Sequence, residues 1–154
     1  MPKAATQSIF WERNMPCALR ISEAASLAMH ALGYLAKREV GPVTSREIAT
    51  RFEISEAHLS KVMQRLVKVE LLRSARGPRG GFTLNRDPKT VTLLEIFEVI
   101  EGRFEPRQCL LSSSICDGDN CILGKIVVEA NTTLRARLEE TTLDDVEAVI
   151  NKSR

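Results

Sequence analysis

"TSREIATRFEISEAHLSKVMQRLVKVELLRSARGPRGGFTL", residues 44–84, decides the fold. Thr44 with Glu47 three residues on is a capping box. It opens a helix whose Ile48, Ala49 and Phe52 form a short apolar face. The turn is "EIS", and Ser55 caps the next helix. There Leu59, Val62, Met63, Leu66 and Val67 recur at helical spacing. Two short helices joined by such a turn predict a helix-turn-helix. The second helix exposes Glu56, Ala57, His58, Ser60, Lys61, Gln64 and Arg65. These side chains are small or polar, suited to phosphates and base edges in a major groove.

The end of the same stretch predicts a hairpin. "LLRS" and "GFTL" are short extended segments, and "RGPRGG" between them is a glycine-rich tip carrying Arg76 and Arg79. Glycine permits positive φ and close backbone approach. Such a hairpin alone reads as a solvated turn. Directly after a helix-turn-helix it reads as a wing, with arginine suited to a minor groove.

Working outward, residues 1–20 form an irregular extension with two prolines and no period. Ser22 caps a helix bearing Ala25, Leu27, Ala28, Ala31, Leu32, Leu35 and Ala36, expected to end near Gly41-Pro42. Downstream, Thr92 and Glu95 form a second capping box. They open a helix with Leu93, Leu94, Ile96, Phe97, Val99 and Ile100 that ends near Gly102. A long helix over about residues 123–140 carries an apolar stripe of Ile126, Val127, Ala130, Leu134 and Leu138, and Thr142 caps a last short helix. The stripe lies outside the compact winged module and calls for a partner, most simply a second copy of the chain.

The expected architecture is therefore mainly α with a small β wing. A winged helix-turn-helix domain spans residues 21–90, a connecting helix 91–105, a cysteine loop 106–123, and a dimerisation helix with its tail 124–154. Charge agrees with this division. Residues 42–90 carry ten Lys/Arg against five Asp/Glu, and residues 91–154 carry seven against twelve. The middle of the chain can face a polyanion and the last third cannot. No apolar run reaches the ~20 residues of a membrane helix, and no signal-peptide stretch opens the chain, so a cytoplasmic protein without a membrane partner is expected. Nothing pairs a nucleophile with a base, and no phosphate-binding GxxxxGK is present, so an enzyme is not expected.

Three of the four cysteines, Cys109, Cys116 and Cys121, lie in "CLLSSSICDGDNC", spaced C-x6-C-x4-C. In the cytoplasm such a cluster points to metal or redox chemistry more than to a structural disulfide. Zinc usually takes four Cys/His ligands with closely paired cysteines, and no CxxC is present. An iron–sulphur cluster, a thiol switch and free thiols all stay open at this level.

The order of motifs resembles the IscR/NsrR/RirA/CymR regulators, the Rrf-two family. The resemblance rests on "LRISEAASLAMHALGYLA", residues 44–84, "TLLEIFEVIEG" and "LEETTLDDV", together covering about residues 19–147. It implies a dimeric winged-helix transcription factor bound to a double-stranded DNA operator. Many members sense through an iron–sulphur cluster. By the same resemblance, Ser55, Ala57, His58, Ser60 and Lys61 fall at the major-groove face, and Arg76 on the wing arginine. Thr44, Ser45, Arg65 and Arg79 are DNA-binding candidates beside them. Part of the family has a glutamate at the Ser60 position that takes part in operator choice, so the operator here should differ. Glu70 stands where the family usually has a glycine before the wing.

For the cysteine loop, the resemblance implies a [2Fe–2S] or [4Fe–4S] cluster on Cys109, Cys116 and Cys121, with a fourth ligand to be found. One branch of the family uses a histidine three residues after the last cysteine; here that is Gly124. Another uses an aspartate of the first helix, here Ser26. A third uses a histidine one turn further, which matches His30. His30, of either subunit, is the first candidate, and Asp117, Asp119, Glu23 and Cys17 are the reserves. The cluster-free alternative within the family is a regulator of the CymR type, controlled by thiol oxidation or by a metabolic enzyme that binds it.

Overall fold

The computed structural model describes residues 21–37, 41–77, 80–106, 108–109 and 121–150. Their order is α1 (Glu23–Ala36), α2 (Ser45–Phe52), α3 (Glu56–Lys68), β1 (Leu72–Ala75), β2 (Gly81–Leu84), a 3-10 turn (Pro88–Thr90), α4 (Leu93–Glu101), α5 (Ile122–Glu140) and α6 (Leu143–Ile150). The fold is mainly helical, with one small antiparallel sheet.

Local capping starts four of these helices. The hydroxyls of Ser22, Thr44, Ser55 and Thr92 accept from the backbone N–H of Ala25, Glu47, His58 and Glu95. Each satisfies a donor that the first helical turn leaves without a partner. Thr142 works the other way round. Its N–H and its hydroxyl both donate to Asp145 Oδ2, at 2.8 Å each. Those two bonds hold the Asp145 carboxyl below its ordinary pKa. The stability they add is present above the usual carboxylate range and is lost as acid protonates Asp145.

The core lies where α1, α3, the base of the wing and α4 meet. Leu32, Ile48, Leu59, Met63, Leu66, Leu71, Leu72, Ile96 and Leu143 are its largest fully buried side chains, with Val43 and Val91 beside them. α1 packs most extensively on α6. Gly33 sets that crossing, because a Cβ there would stand 2.6 Å from Val146 Cγ1.

Strands β1 and β2 pair from Leu72↔Leu84 to Ala75↔Gly81. Val43, just before α2, adds a bridge on the far side of β2. Its N–H donates to the Phe82 carbonyl at 3.0 Å and its carbonyl accepts from the Phe82 N–H at 2.8 Å. The wing is thereby sewn to the start of the helix-turn-helix.

Several boundaries shift from expectation for local reasons. α1 ends at Ala36 with Lys37 as its cap, short of Gly41-Pro42. β1 begins at Leu72, because the Leu71 N–H still donates to the Leu66 carbonyl and closes α3. α5 begins at Ile122, inside the expected loop, because Cys121 acts as its N-cap. Residues 1–20, including Cys17, lie outside the described residues.

Glu70 takes up the left-handed conformation that a glycine would favour, with φ of 60°. Its carbonyl is held by Asn85 Nδ2 at 2.8 Å, and the Asn85 N–H donates to the Leu71 carbonyl. Asn85 therefore staples the end of α3 to the base of the wing. A left-handed non-glycine residue costs ~1–2 kcal/mol, partly offset in a Gly variant by its freer unfolded chain. Glu70→Gly is expected to stabilise the protein by roughly 0.5–1 kcal/mol and raise the thermal midpoint by about 2–4 °C. An unchanged or lower midpoint in a circular-dichroism melt would refute this.

Candidate functional site

Two N-termini and a hairpin make up the candidate nucleic-acid interface. Thr44 caps α2 and is exposed; Ser45 is half-buried in its first turn. Ser55 caps α3 and is exposed. Both caps accept a backbone N–H through oxygen, which leaves each O–H able to donate to a phosphate. Helix starts also direct their positive dipole end outward, toward an anion placed there.

On α3, the buried residues Leu59, Val62, Met63 and Leu66 define one side. Ala57, Lys61 and Gln64 are exposed opposite them, while His58 and Ser60 are half-buried on the flanks. These are the groups the sequence placed at the major groove. Arg65 differs from the rest: its Nη1 donates to the Ile100 carbonyl of α4 at 3.2 Å. That carbonyl is among the last of α4, which lack partners inside the helix, so a guanidinium is a fitting donor.

Arg76 is exposed where β1 ends. Gly77 beside it has φ of 108°, and the Gly80 N–H donates to the Gly77 carbonyl at 2.9 Å to close the turn. Arg79 lies outside the described residues. Two further cations that belong to no motif, Arg46 in the first turn of α2 and Arg73 on β1, are exposed in the same region. The excess of positive charge over residues 42–90 was the signal that could have found them.

Of the three loop cysteines, Cys109 and Cys121 are described, and both are half-buried. Cys116, Asp117 and Asp119 lie outside the described residues. Cys121 Sγ accepts from the Gly124 N–H at 3.2 Å, so the positive end of α5 faces this sulphur. Gly124 has a second consequence. A Cβ there would meet the Gln108 carbonyl at 2.9 Å and Cys121 Sγ at 3.5 Å. The backbone just before Cys109 therefore lies against the first turn of α5, and the two ends of the loop are brought together at its base.

His30 is exposed on α1. Its Nδ1 lies 2.7 Å from the Ser26 carbonyl, and its ring meets Phe52 of α2 edge-on at 6.3 Å. A carbonyl can only accept, so Nδ1 carries the proton, which leaves Nε2 as the nitrogen with a lone pair. Metal-ligating histidines are commonly oriented in this way. Among the described residues, no three His, Cys, Asp or Glu side chains gather into a group able to hold a metal ion. His30, Cys109 and Cys121 do not form one within a single subunit.

An exposed helix-turn-helix face with a bridged hairpin wing defines a DNA-binding transcriptional regulator. Comparison with known proteins agrees. Residues 21–148 match the model of the Rrf2 family, described as an iron-dependent transcriptional regulator, and the chain belongs to that family. A protein of Aquifex aeolicus, assigned as a transcriptional regulator of the HTH type, is 33% identical over 128 residues. That match covers 81% of this chain and 89% of the relative. The regulator IscR of Escherichia coli is 28% identical over 108 residues, covering 70% of this chain and 67% of IscR. Among solved structures, CymR, the global cysteine regulator of Bacillus subtilis, superimposes with a TM-score of 0.71 at 26% identity, over 84% of this chain and 97% of CymR. IscR of T. potens superimposes with a TM-score of 0.69 at 25% identity, over 89% and 92%. These relatives are regulators of transcription and not enzymes. No helix among the described residues is long and apolar enough to cross a membrane.

Proposed function

We propose that the protein is a dimeric, operator-binding regulator whose DNA affinity is set by an iron–sulphur cluster on Cys109, Cys116 and Cys121. The single observation that supports this most is the closed base of the cysteine loop at Gly124, where the backbone just before Cys109 lies against the turn that Cys121 caps. His30, exposed on α1 with Nδ1 bonded to the Ser26 carbonyl, completes the ligand set through Nε2 from the partner subunit. The cluster would supply iron–thiolate bonds sensitive to redox state, nitric oxide or iron supply. The chain's own part is to hold Cys121 at the start of α5, so that a change of ligation is felt by that helix.

Dimerisation follows from α5. Ile122, Leu123 and Ile126 are 76%, 58% and 58% exposed, and of nineteen residues in α5 only Gly124 and Leu138 are buried. Of the expected stripe, Leu138 is buried and Val127 and Leu134 are half-buried, while Ile126 and Ala130 face outward. A second copy covering the outward residues would pair two recognition helices across successive major grooves, ~34 Å apart. Thr44, Ser45, Ser55, Ala57, His58, Ser60 and Lys61 would then meet the operator in each half-site, with Arg76 and Arg79 in the minor groove. The cytoplasm is where such a regulator would act.

The second reading is cluster-free control by thiol chemistry or a bound enzyme. It is favoured by the likeness to CymR, whose oxidised form from Staphylococcus aureus shares this fold. Anaerobic purification separates the two readings. The cluster reading expects brown protein with iron and sulphide in near-equal amounts and absorption between ~300 and 500 nm. Cys116→Ala should abolish both, and His30→Ala should lower iron content at unchanged melting temperature. Colourless, iron-free wild-type protein from iron-replete anaerobic cells would defeat the cluster reading in favour of the thiol one.

A further inference from the structure

We propose that Phe104 and Arg65 form the link by which the state of the cysteine loop reaches the recognition helix. The inference rests on the reading of the loop as the controlling element and adds the residues that transmit the control.

Phe104 stands five residues before Cys109 and is 8% exposed. Four contacts hold it. Its N–H donates to Glu98 Oε1 of α4 at 3.0 Å, and its carbonyl accepts from Arg135 Nη1 of α5 at 3.4 Å. Its ring lies against Phe97 of α4 at 5.6 Å, and the Arg135 guanidinium sits 6.0 Å from the ring centroid. One residue thus joins the exit of α4 to the flank of α5. A few residues on, the Gln108 carbonyl meets α5 again at Gly124. The chain leading to Cys109 therefore meets α5 at two points, Phe104 and Gln108. A packed junction of this kind shifts as a unit, so a movement of Cys109 relative to Cys121 moves the end of α4 with it.

The end of α4 is where Arg65 is tied. Ile100, whose carbonyl accepts from the Arg65 guanidinium, lies four residues before Phe104. Arg65 in turn lies one helical turn after Lys61 on α3. The path from thiol to groove is short: Cys109, Phe104, the last turn of α4, Arg65, Lys61. Ser22, the N-cap of α1, also donates its hydroxyl to Glu101, so the same turn of α4 is held from the α1 side. Arg65 on this view is a positioning residue, not a contact to DNA.

The test is a double-mutant cycle in operator affinity. Full-length protein, anaerobically purified, and its Cys116→Ala form are titrated with operator DNA by fluorescence anisotropy. Each is also made with Arg65→Met, Arg65→Lys and Phe104→Leu, and melts confirm folding. For wild type the two loop states should differ at least about fivefold, the lower end of ordinary coupling. The ratio should fall toward one with Arg65→Met and Phe104→Leu and stay near the wild-type value with Arg65→Lys, which can still donate to Ile100. Salt slopes should be unchanged by Arg65→Met. A full wild-type ratio in Arg65→Met overturns the proposal. So does a salt slope shallower by ~0.9, because Arg65 would then be a phosphate contact. Equal affinities for wild type and Cys116→Ala alone would instead remove the reading of the loop as controller, and the link with it.

Discussion

Gly81→Ala is expected to destabilise the protein by about 3 kcal/mol, lower its thermal midpoint by roughly 6–12 °C and weaken operator binding more than tenfold. Gly81 has φ of 154°, and a Cβ there would stand 2.4 Å from the Val43 carbonyl oxygen and 2.6 Å from its carbon. Both are backbone atoms, so no side chain can swing aside. The Val43–Phe82 bridge has to open, losing two backbone bonds of ~1 kcal/mol each on top of the conformational strain. The bridge also ties the wing to the N-terminus of α2, so the wing loses its register with the recognition helix. Gly77→Ala makes the natural control. Gly77 also has positive φ, 108°, but open space where a Cβ would go, so it should cost only ~1 kcal/mol. A circular-dichroism melt of both variants decides it, and a Gly81→Ala midpoint equal to that of Gly77→Ala would refute the argument.

Much of the fold was legible because its signals are local. Ser22, Thr44, Ser55 and Thr92 each sit three residues before the amide they accept from, and a cap of this kind is written in four consecutive residues. The hairpin was legible for the same reason, since Gly77, Gly80 and Gly81 all serve the turn between β1 and β2. Glu70 shows where a local rule yields to its surroundings. The turn keeps its left-handed residue without glycine, because Asn85, fifteen positions away, holds the carbonyl in place. Sequence alone has no means of pairing those two.

The site was less legible, and distance along the chain explains why. Arg65 reads as a groove-facing cation on its helix, yet its partner is thirty-five residues away on α4. Gly124 reads as a missing histidine ligand. Its structural role, admitting the Gln108 carbonyl beside Cys121, depends on a loop closing across thirteen residues of no regular period. The apolar stripe of α5 was found by its period, but period does not say which side is covered. Leu138 turned out buried and Ile126 exposed, because α4 covers one flank of α5 and leaves the other to solvent.

Arg76→Ala is expected to weaken operator binding by ~1–3 kcal/mol, about 5- to 150-fold, with no change in stability. Arg76 is exposed at the end of β1, where Gly77 turns the chain, so its stem projects from the tip of a two-stranded ribbon. A ribbon tip is narrow enough to follow a minor groove, where close phosphates deepen the negative potential that attracts a guanidinium. Removing the charge should also flatten the dependence of log K on log salt by ~0.9, the share of one counterion. Arg76→Lys keeps the charge and should keep the slope, but lose part of the affinity, because an ammonium cannot match the planar fork. An exposed substitution of this kind should shift stability by no more than ~0.5 kcal/mol, so weaker binding could not be blamed on unfolding. Operator titrations at three salt concentrations give affinity and slope together. If both match wild type, the wing does not reach the groove, and operator binding rests on the helix-turn-helix alone.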